Sequence, residues 1–324
     1  MENFDPNADA EELVNALKPK KNEDKIINLV VNRTNSQRLK IKEAYNSKFN
    51  SDLIQDLEKA LHGHFEDVVV GLFYSPIDYD CFQLRKAVKG LGTDEDALIE
   101  ILCTRPPDVI EEIKKRYSEM YPGRTLLKDI EGDTSGHFRK VLVALLSAKR
   151  PIENKELDYG ECEKCAKELY EAGEKRLGTD EEVFTKIFTE KSQKDFICIC
   201  QLYFKLTKHT LLQAVENEFS RDSKKCLIAI IYGMLSPSEY FAKCIYDAIK
   251  GLGTRDIKLI RNIITRKEID LAIIKRFYKQ NYKKDMVEDI KNDTSGNYRK
   301  ILVELASNWM INDILQENLN YIFL

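Results

Sequence analysis

The sequence has no apolar run that could cross a bilayer. Its longest runs, such as 141–146, fall far short of the ~20 residues that a spanning helix needs. The first residues, Met1 to Pro6, have neither the basic nor the apolar region of a signal peptide. We therefore expect a cytoplasmic protein.

Neither sign of charge dominates the sequence. Lys plus Arg number 51 and Asp plus Glu number 54, which gives a formal net charge of −3. A nucleic-acid-binding protein is usually clearly basic, so we expect no nucleic-acid partner. Contact with an acidic lipid surface would need positive charge from another source.

Catalytic patterns are absent as well. The four histidines (62, 64, 137 and 209) belong to no visible Ser/His/Asp set, and no phosphate-binding loop or EF-hand spacing occurs. The eight cysteines mostly lie in helical apolar patterns, as small hydrophobic residues do, and their pairs lack the turns of a zinc knuckle. We expect a protein that is not an enzyme.

Strand-like alternation is nearly absent, whereas apolar residues recur with helical spacing. In the segment 97–146, they repeat at i, i+3 and i+4, which predicts amphipathic helices and an all-α fold. Thr93 precedes three acidic residues and is predicted to be a helix N-cap.

Internal repetition is the strongest signal in the chain. Lys89-Gly-Leu-Gly-Thr93 returns as Lys250-Gly-Leu-Gly-Thr254, and Asp133-Thr-Ser-Gly136 returns as Asp293-Thr-Ser-Gly296. The loop threonine precedes the aspartate by 40 residues in one copy and 39 in the other. A weaker copy contains Thr179 and Glu218, again 39 residues apart.

A fourth, eroded copy opens the chain. It has Pro19, Lys20 and Lys21 where the glycines stand elsewhere, and Ala60 in place of the acid. The repeats predict the following division: a head at 1–7, repeat 1 at 8–75, repeat 2 at 80–148, a linker at 149–162, repeat 3 at 163–235, repeat 4 at 238–310 and a tail at 311–324.

A glycine loop paired with a distant acid indicates calcium chemistry. Glycine lets the backbone turn several carbonyl oxygens outward, and Ca²⁺ takes six to eight oxygen ligands. A carboxylate at Asp133 or Asp293 would supply the missing negative charge. The alternative is that each aspartate only caps a helix N-terminus. The matched spacing of both halves favours calcium.

These residues resemble the calcium-binding repeat of the annexin family, over about residues 4–310. The resemblance implies a curved disc of four five-helix repeats whose calcium ions are shared with lipid phosphates. Carried over residue by residue, it implies these metal ligands: carbonyls of Gly90 and Gly92 with Asp133; of Ile249, Gly251 and Gly253 with Asp293; of Gly173, Arg176 and Gly178 with Glu218; and minor sites at Thr93 with Glu95 and Thr179 with Glu181. It also implies membrane contact by Leu91, Leu177 and Leu252 at the loop tips.

The resemblance thus predicts a protein that binds anionic phospholipid membranes when calcium rises, with Ca²⁺ as its cofactor and without catalysis. The alternative is a calcium-independent scaffold for cytoskeletal or other protein partners. Self-association on membranes is left open. Repeat 1 departs from the family pattern, because Lys20, Lys21 and Ala60 all oppose calcium binding there. The tail from Trp309 to Leu324 has no match in the family pattern.

Overall fold

The computed structural model describes residues 4–19, 21–90, 92–147, 150–151 and 156–307, and these ranges hold twenty α-helices and no β-strand. The all-α prediction is confirmed. None of the helices in these ranges is long and apolar enough to cross a membrane. The tail 311–324, Lys20 and Leu91 lie outside the described residues.

The helices form four successive sets of five, and each set is named after the predicted repeat that it overlaps. The first helix of each set begins one to four residues before the predicted start of that repeat. Repeat 1 contains α1 (Pro6–Ala16), α2 (Glu23–Val31), α3 (Asn35–Phe49), α4 (Leu53–Ala60) and α5 (Gly63–Leu72). Repeat 2 contains α6 (Pro76–Ala87), α7 (Glu95–Leu102), α8 (Pro107–Met120), α9 (Leu126–Asp133) and α10 (Gly136–Ser147). Repeat 3 contains α11 (Tyr159–Ala172), α12 (Glu181–Glu190), α13 (Gln193–Thr207), α14 (Leu211–Glu218) and α15 (Arg221–Leu235). Repeat 4 contains α16 (Pro237–Ile249), α17 (Asp256–Arg266), α18 (Leu271–Tyr282), α19 (Met286–Asp293) and α20 (Gly296–Ser307).

The second helix of a repeat begins behind a capping side chain in repeats 1, 2 and 3. Asn22, Asp94 and Asp180 each accept a hydrogen bond from a backbone N–H of the first helical turn. The expectation that Thr93 caps α7 is therefore wrong. Asp94, one residue later, takes that role, and the Thr93 hydroxyl is free for the contact described below.

The chain divides into two compact units, which pair the repeats differently from their order in sequence. One unit contains the described residues up to Tyr79 together with those from Phe241 to Ser307, and so holds repeat 1 and most of repeat 4. The other contains residues 80–240, which include repeats 2 and 3.

In the unit of repeats 1 and 4, the fifth helix of each repeat packs on the second helix of the other: α5 on α17, and α20 on α2. The buried Arg38 joins the two repeats, because its guanidinium donates to Glu268 Oε1 at 2.8 Å and to the carbonyl oxygen of Leu72 at 2.9 Å. Burial lowers the pKa of Arg38, and the Glu268 carboxylate opposes that shift. A buried guanidinium is costly unless it is bonded in this way.

The unit of repeats 2 and 3 repeats the reciprocal arrangement, with α10 on α12 and α15 on α7. Gly233 in α15 allows the close approach of the two repeats, since a Cβ atom there would lie 2.8 Å from the carbonyl oxygen of Cys103. All eight cysteines are free thiols and seven of them are buried, as expected from their apolar sequence context.

Candidate metal centre

In every repeat, one backbone hydrogen bond closes the loop between the first and second helices. An alanine carbonyl at or near the end of the first helix accepts it: Ala16 from Asn22, Ala87 from Asp94, Ala172 from Asp180 and Ala248 from Arg255, at 2.8–3.0 Å. The enclosed segments are 88–93 and 249–254 in repeats 2 and 4, which are six residues each. Repeat 3 has seven, 173–179, and repeat 1 only five, 17–21. The four loops are therefore not equivalent.

The loops of repeats 2 and 4 each contain two glycines in conformations that side chains disfavour. The φ angles are +123° at Gly90, +90° at Gly92, +108° at Gly251 and +84° at Gly253. A Cβ atom at any of these positions would meet no atom within 4 Å, so the constraint lies in the backbone itself. These turns depend on glycine, as expected from the sequence.

The predicted pairing of loop and distant acid is present in the structure. Thr93 Oγ1 donates to the backbone oxygen of Asp133 at 3.0 Å and to its Oδ2 at 2.7 Å. Thr254 Oγ1 makes the same two contacts with Asp293, at 3.0 and 2.6 Å. Each hydroxyl therefore fixes one carboxylate oxygen beside the glycine loop.

The position of these acids is unfavourable for the helices that carry them. Asp133 and Asp293 are the last residues of α9 and α19, and Glu218 is the last residue of α14. The C-terminal end of a helix repels negative charge, so a cation beside each carboxylate would relieve that repulsion. The alternative that these aspartates cap the following helices gains no support, because they end the preceding ones.

Repeat 3 builds its loop differently. Thr179 Oγ1 donates to Glu218 Oε2 at 2.5 Å, so the pairing of loop and acid is kept. Only Gly178 in this loop is in the left-handed region, at φ +79°. Arg176 occupies the position of the other such glycine, and its N–H donates to the carbonyl oxygen of Gly173 at 3.0 Å to form a turn. The Arg176 guanidinium lies 3.7 Å from the Asp180 carboxylate. This loop uses one residue more and one such glycine fewer.

Glu174, inside the same loop, was not predicted as a functional residue. Its carboxylate accepts hydrogen bonds from the Tyr203 hydroxyl at 2.6 Å and contacts His209 Nδ1 at 2.7 Å. The side chain is only 16% exposed.

Repeat 1 lacks both parts of the site, as predicted. Ala60 ends α4 where the acids end their helices, and the Lys21 ammonium donates to its carbonyl oxygen. Lys21 precedes the N-cap Asn22, just as Thr93 precedes Asp94. The lysine thus brings its own positive charge to this place.

The two predicted minor sites lie at helix N-termini, where Glu95 begins α7 and Glu181 begins α12. Glu181 Oε1 lies 3.9 Å from Nδ1 of the buried His137, whose Nε2 contacts the Thr185 hydroxyl at 2.8 Å. Burial lowers the pKa of His137, although the Glu181 carboxylate opposes this shift. Calcium binding at Glu95 and Glu181 remains a prediction.

Two of the three leucines predicted to touch a membrane are described, and both are fully extended into solvent. Leu177 is 103% exposed and Leu252 is 109% exposed, relative to a reference residue. Leucines this exposed are unusual on a protein surface. Leu91 lies outside the described residues.

The groups gathered at these loops suit a hard cation. Each loop offers neutral carbonyl oxygens and one carboxylate, which are ligands that Ca²⁺ accepts. Within the described ranges, no group of three or more His, Cys, Asp or Glu could hold a metal ion, so a site rich in nitrogen, sulfur or carboxylate ligands is not formed there.

The sequence and fold resemble known proteins over most of their length. A family model described as Annexin matches residues 8–72, 79–145, 164–230 and 240–305. The chain is 41% identical to human annexin A7 over 305 residues, which are 94% of this chain and 62% of that protein. It is 41% identical to mouse annexin A4 over 304 residues, 94% of this chain and 95% of that one. The solved structure of annexin III matches with a TM-score of 0.90 at 34% identity and covers 95% of both chains.

Proposed function

The chain belongs to the annexin family, whose members are generally calcium-dependent phospholipid binders rather than enzymes, and we propose that it docks on anionic membranes through calcium held by repeats 2, 3 and 4. The chain spans less than two thirds of the length of annexin A7. The proposal therefore concerns only the loops of repeats 2, 3 and 4.

Each loop has a defined part in this proposal. In repeat 2, the carbonyls of Gly90 and Gly92 and the carboxylate of Asp133 hold the ion. In repeat 4, the carbonyls of Ile249, Gly251 and Gly253 act with Asp293. In repeat 3, the carbonyls of Gly173, Arg176 and Gly178 act with Glu218. Calcium supplies a positive charge that a phosphate oxygen of a lipid can share.

The observation that carries the proposal is the contact between loop threonine and distant acid, made in three of the four repeats. Thr93, Thr179 and Thr254 reach Asp133, Glu218 and Asp293 at 2.5–2.7 Å. A turn that served only to join two helices would not need a carboxylate from 39 or 40 residues away.

Weak individual sites are expected, because each has a single carboxylate. Sites with few formal charges bind Ca²⁺ with dissociation constants on the order of 10⁻⁵ to 10⁻³ M. Several loops on one chain raise the effective concentration at a membrane once the first is bound. The overall charge of −3 gives no affinity for acidic lipid by itself, so binding should require calcium.

Sedimentation with vesicles tests the proposal. The protein should pellet with phosphatidylserine-rich vesicles in calcium, remain in the supernatant with a chelator, and remain there with phosphatidylcholine vesicles in either condition. Equal pelleting with and without chelator would contradict it. That result would favour the calcium-independent scaffold for cytoskeletal or other proteins.

A further inference from the structure

A buried tyrosine of the third helix donates to a carboxylate in every repeat. The pairs are Tyr45 with Asp56 at 3.2 Å, Tyr117 with Asp129 at 2.7 Å, Tyr278 with Asp289 at 2.8 Å and Tyr203 with Glu174 at 2.6 Å. In repeats 1, 2 and 4, the carboxylate lies on the fourth helix, one turn before its last residue. In repeat 3, it lies in the loop between the first and second helices.

The exchange in repeat 3 follows from one substitution on the fourth helix. The fourth-helix position one turn before Glu218 is Ala214, which is fully buried and has no carboxylate to offer. Tyr203 is also fully buried, so its hydroxyl needs an acceptor. Glu174 supplies it and uses its other oxygen to contact His209, in the turn between α13 and α14.

We propose that Glu174 is a positioning residue that holds the repeat 3 loop in its ion-binding conformation before an ion arrives. This inference rests on the proposed function, since it concerns the same loop. We call Glu174, Tyr203 and His209 the Glu174 cluster. The cluster joins the loop to α13 and to the turn that follows it.

The loop of repeat 3 has a particular need for this support. It encloses seven residues, against six in repeats 2 and 4, and a longer loop loses more conformational entropy when it is fixed. The hydrogen bonds to the Glu174 carboxylate involve an ionised acceptor, which makes them stronger than neutral ones. In repeats 2 and 4, the corresponding tyrosines donate to a carboxylate of the fourth helix instead, so neither tyrosine bonds to the loop of its repeat.

The cluster also lies next to the ion-binding acid. Burial raises the pKa of Tyr203, and the carboxylates of Glu174 and Glu218 raise it further. A Cβ atom at Gly173, the residue before Glu174, would lie 3.4 Å from Glu218 Cγ, so the Glu218 side chain packs against this end of the loop. The second negative charge of Glu174 favours a cation at Glu218. We therefore expect repeat 3 to bind calcium in solution, before any membrane is present.

Limited proteolysis without calcium tests the positioning role directly. Trypsin can cut after Lys175 and Arg176, both in the loop, only when the loop opens. Tyr203→Phe should speed these cuts several-fold, and Tyr203→Phe with His209→Asn by about tenfold, since each lost bond to a charged group favours opening. These substitutions leave the sequence at the cleavage sites unchanged.

Tyr278→Phe is the matched control, because it removes the equivalent hydrogen bond to a helix rather than to a loop. It should lower thermal stability to a similar extent as Tyr203→Phe and leave cutting after Lys175 and Arg176 unchanged. Equal acceleration by both tyrosine variants, or no acceleration by the double variant, would overturn the proposal. His209 is largely exposed, so His209→Asn alone provides a well-folded variant for the same assay.

Calorimetric titration with calcium supplies a second readout. In a chain that carries Asp133→Asn and Asp293→Asn, repeat 3 should still bind calcium in solution, and Glu174→Gln should weaken that binding about tenfold. Binding of equal strength with and without Glu174→Gln would overturn the inference and leave the proposed function intact. Failure of the unmodified chain to pellet with acidic vesicles in calcium would instead remove the proposed function.

Discussion

In repeat 1, the ammonium group of Lys21 donates a hydrogen bond to the backbone carbonyl oxygen of Ala60. The corresponding carbonyl oxygens of Asp133 and Asp293 accept instead from threonine hydroxyls at 3.0 Å. Lys21 also places a positive charge at the C-terminal end of α4, where the helix dipole favours it. This lysine gives repeat 1 a fixed cation where the other repeats are proposed to use calcium.

We predict that repeat 1 binds no calcium between residues 17–22 and Ala60. Its loop is one residue shorter than those of repeats 2 and 4, it contains Pro19, and its acid is replaced by alanine. Crystals soaked in high calcium should show ions in repeats 2, 3 and 4 and none at Ala60. A seven-coordinate ion beside Ala60 would refute this assignment.

Lys21→Met should lower the stability of the chain by about 0.5–1 kcal/mol, because it removes a favourable charge at a helix end. The calcium concentration needed for vesicle binding should not change. Thermal unfolding and vesicle sedimentation measure the two quantities. Lys59→Met is the control: it removes a charge from the same helix end but no hydrogen bond to Ala60, so it should lower stability by less. A large shift in the calcium requirement would contradict the structural role given to Lys21.

Asp133→Asn and Asp293→Asn should each raise the calcium needed for half-maximal vesicle binding at least about tenfold. Loss of a residue that only contacts a metal ligand already lowers metal affinity by about that factor, and these aspartates are proposed to be ligands themselves. Together they should remove most of the binding. Stability should be unchanged or slightly higher, because each substitution removes a negative charge from a helix C-terminus. An unchanged calcium requirement with lower stability would show that the two aspartates serve the fold only.

The pairing of loop and acid could be predicted from the sequence because both halves recur at matched distances. The packing of the repeats could not, since the longest linker separates repeats 1 and 2 from repeats 3 and 4, whereas the compact units group 1 with 4 and 2 with 3. That grouping depends on which second helix packs on which fifth helix. The repeats have similar amphipathic helices, so the sequence does not favour one pairing of repeats over another.

Local sequence signals also gave one wrong prediction, at Thr93, and left one candidate functional residue, Glu174, unpredicted. Thr93 and Asp94 are both good N-caps, and only the fold shows that Asp94 caps α7 while Thr93 contacts Asp133. Glu174 had a detectable signal, namely an alanine at 214 where repeats 1, 2 and 4 have aspartate. The link from that alanine to Glu174 required the position of Tyr203.

Thr93→Val should weaken calcium-dependent binding by repeat 2 about three- to tenfold, through loss of one hydrogen bond that orients the Asp133 carboxylate. Thr93→Ser keeps the hydroxyl and should retain most of the affinity. Calorimetric titration of both variants, in a chain whose repeat 3 and repeat 4 sites are removed by Glu218→Gln and Asp293→Asn, isolates the effect. Equal affinities for valine and serine at position 93 would show that the hydroxyl plays no part.

Leu177→Ser and Leu252→Ser should each weaken vesicle binding at saturating calcium without changing calcium binding in solution. Both side chains project fully into solvent from loops proposed to face the membrane, and burying a leucine in an apolar environment stabilises by about 1.5–3 kcal/mol. Partial insertion should therefore make each substitution cost about tenfold in vesicle affinity. Ile269→Ser is the control for Leu252→Ser, because Ile269 is 61% exposed but lies beyond the opposite end of α17 from the repeat 4 loop. A loss of solution calcium binding in either leucine variant, or an equal loss of vesicle affinity in Ile269→Ser, would contradict a specific contact of these two leucines with the bilayer.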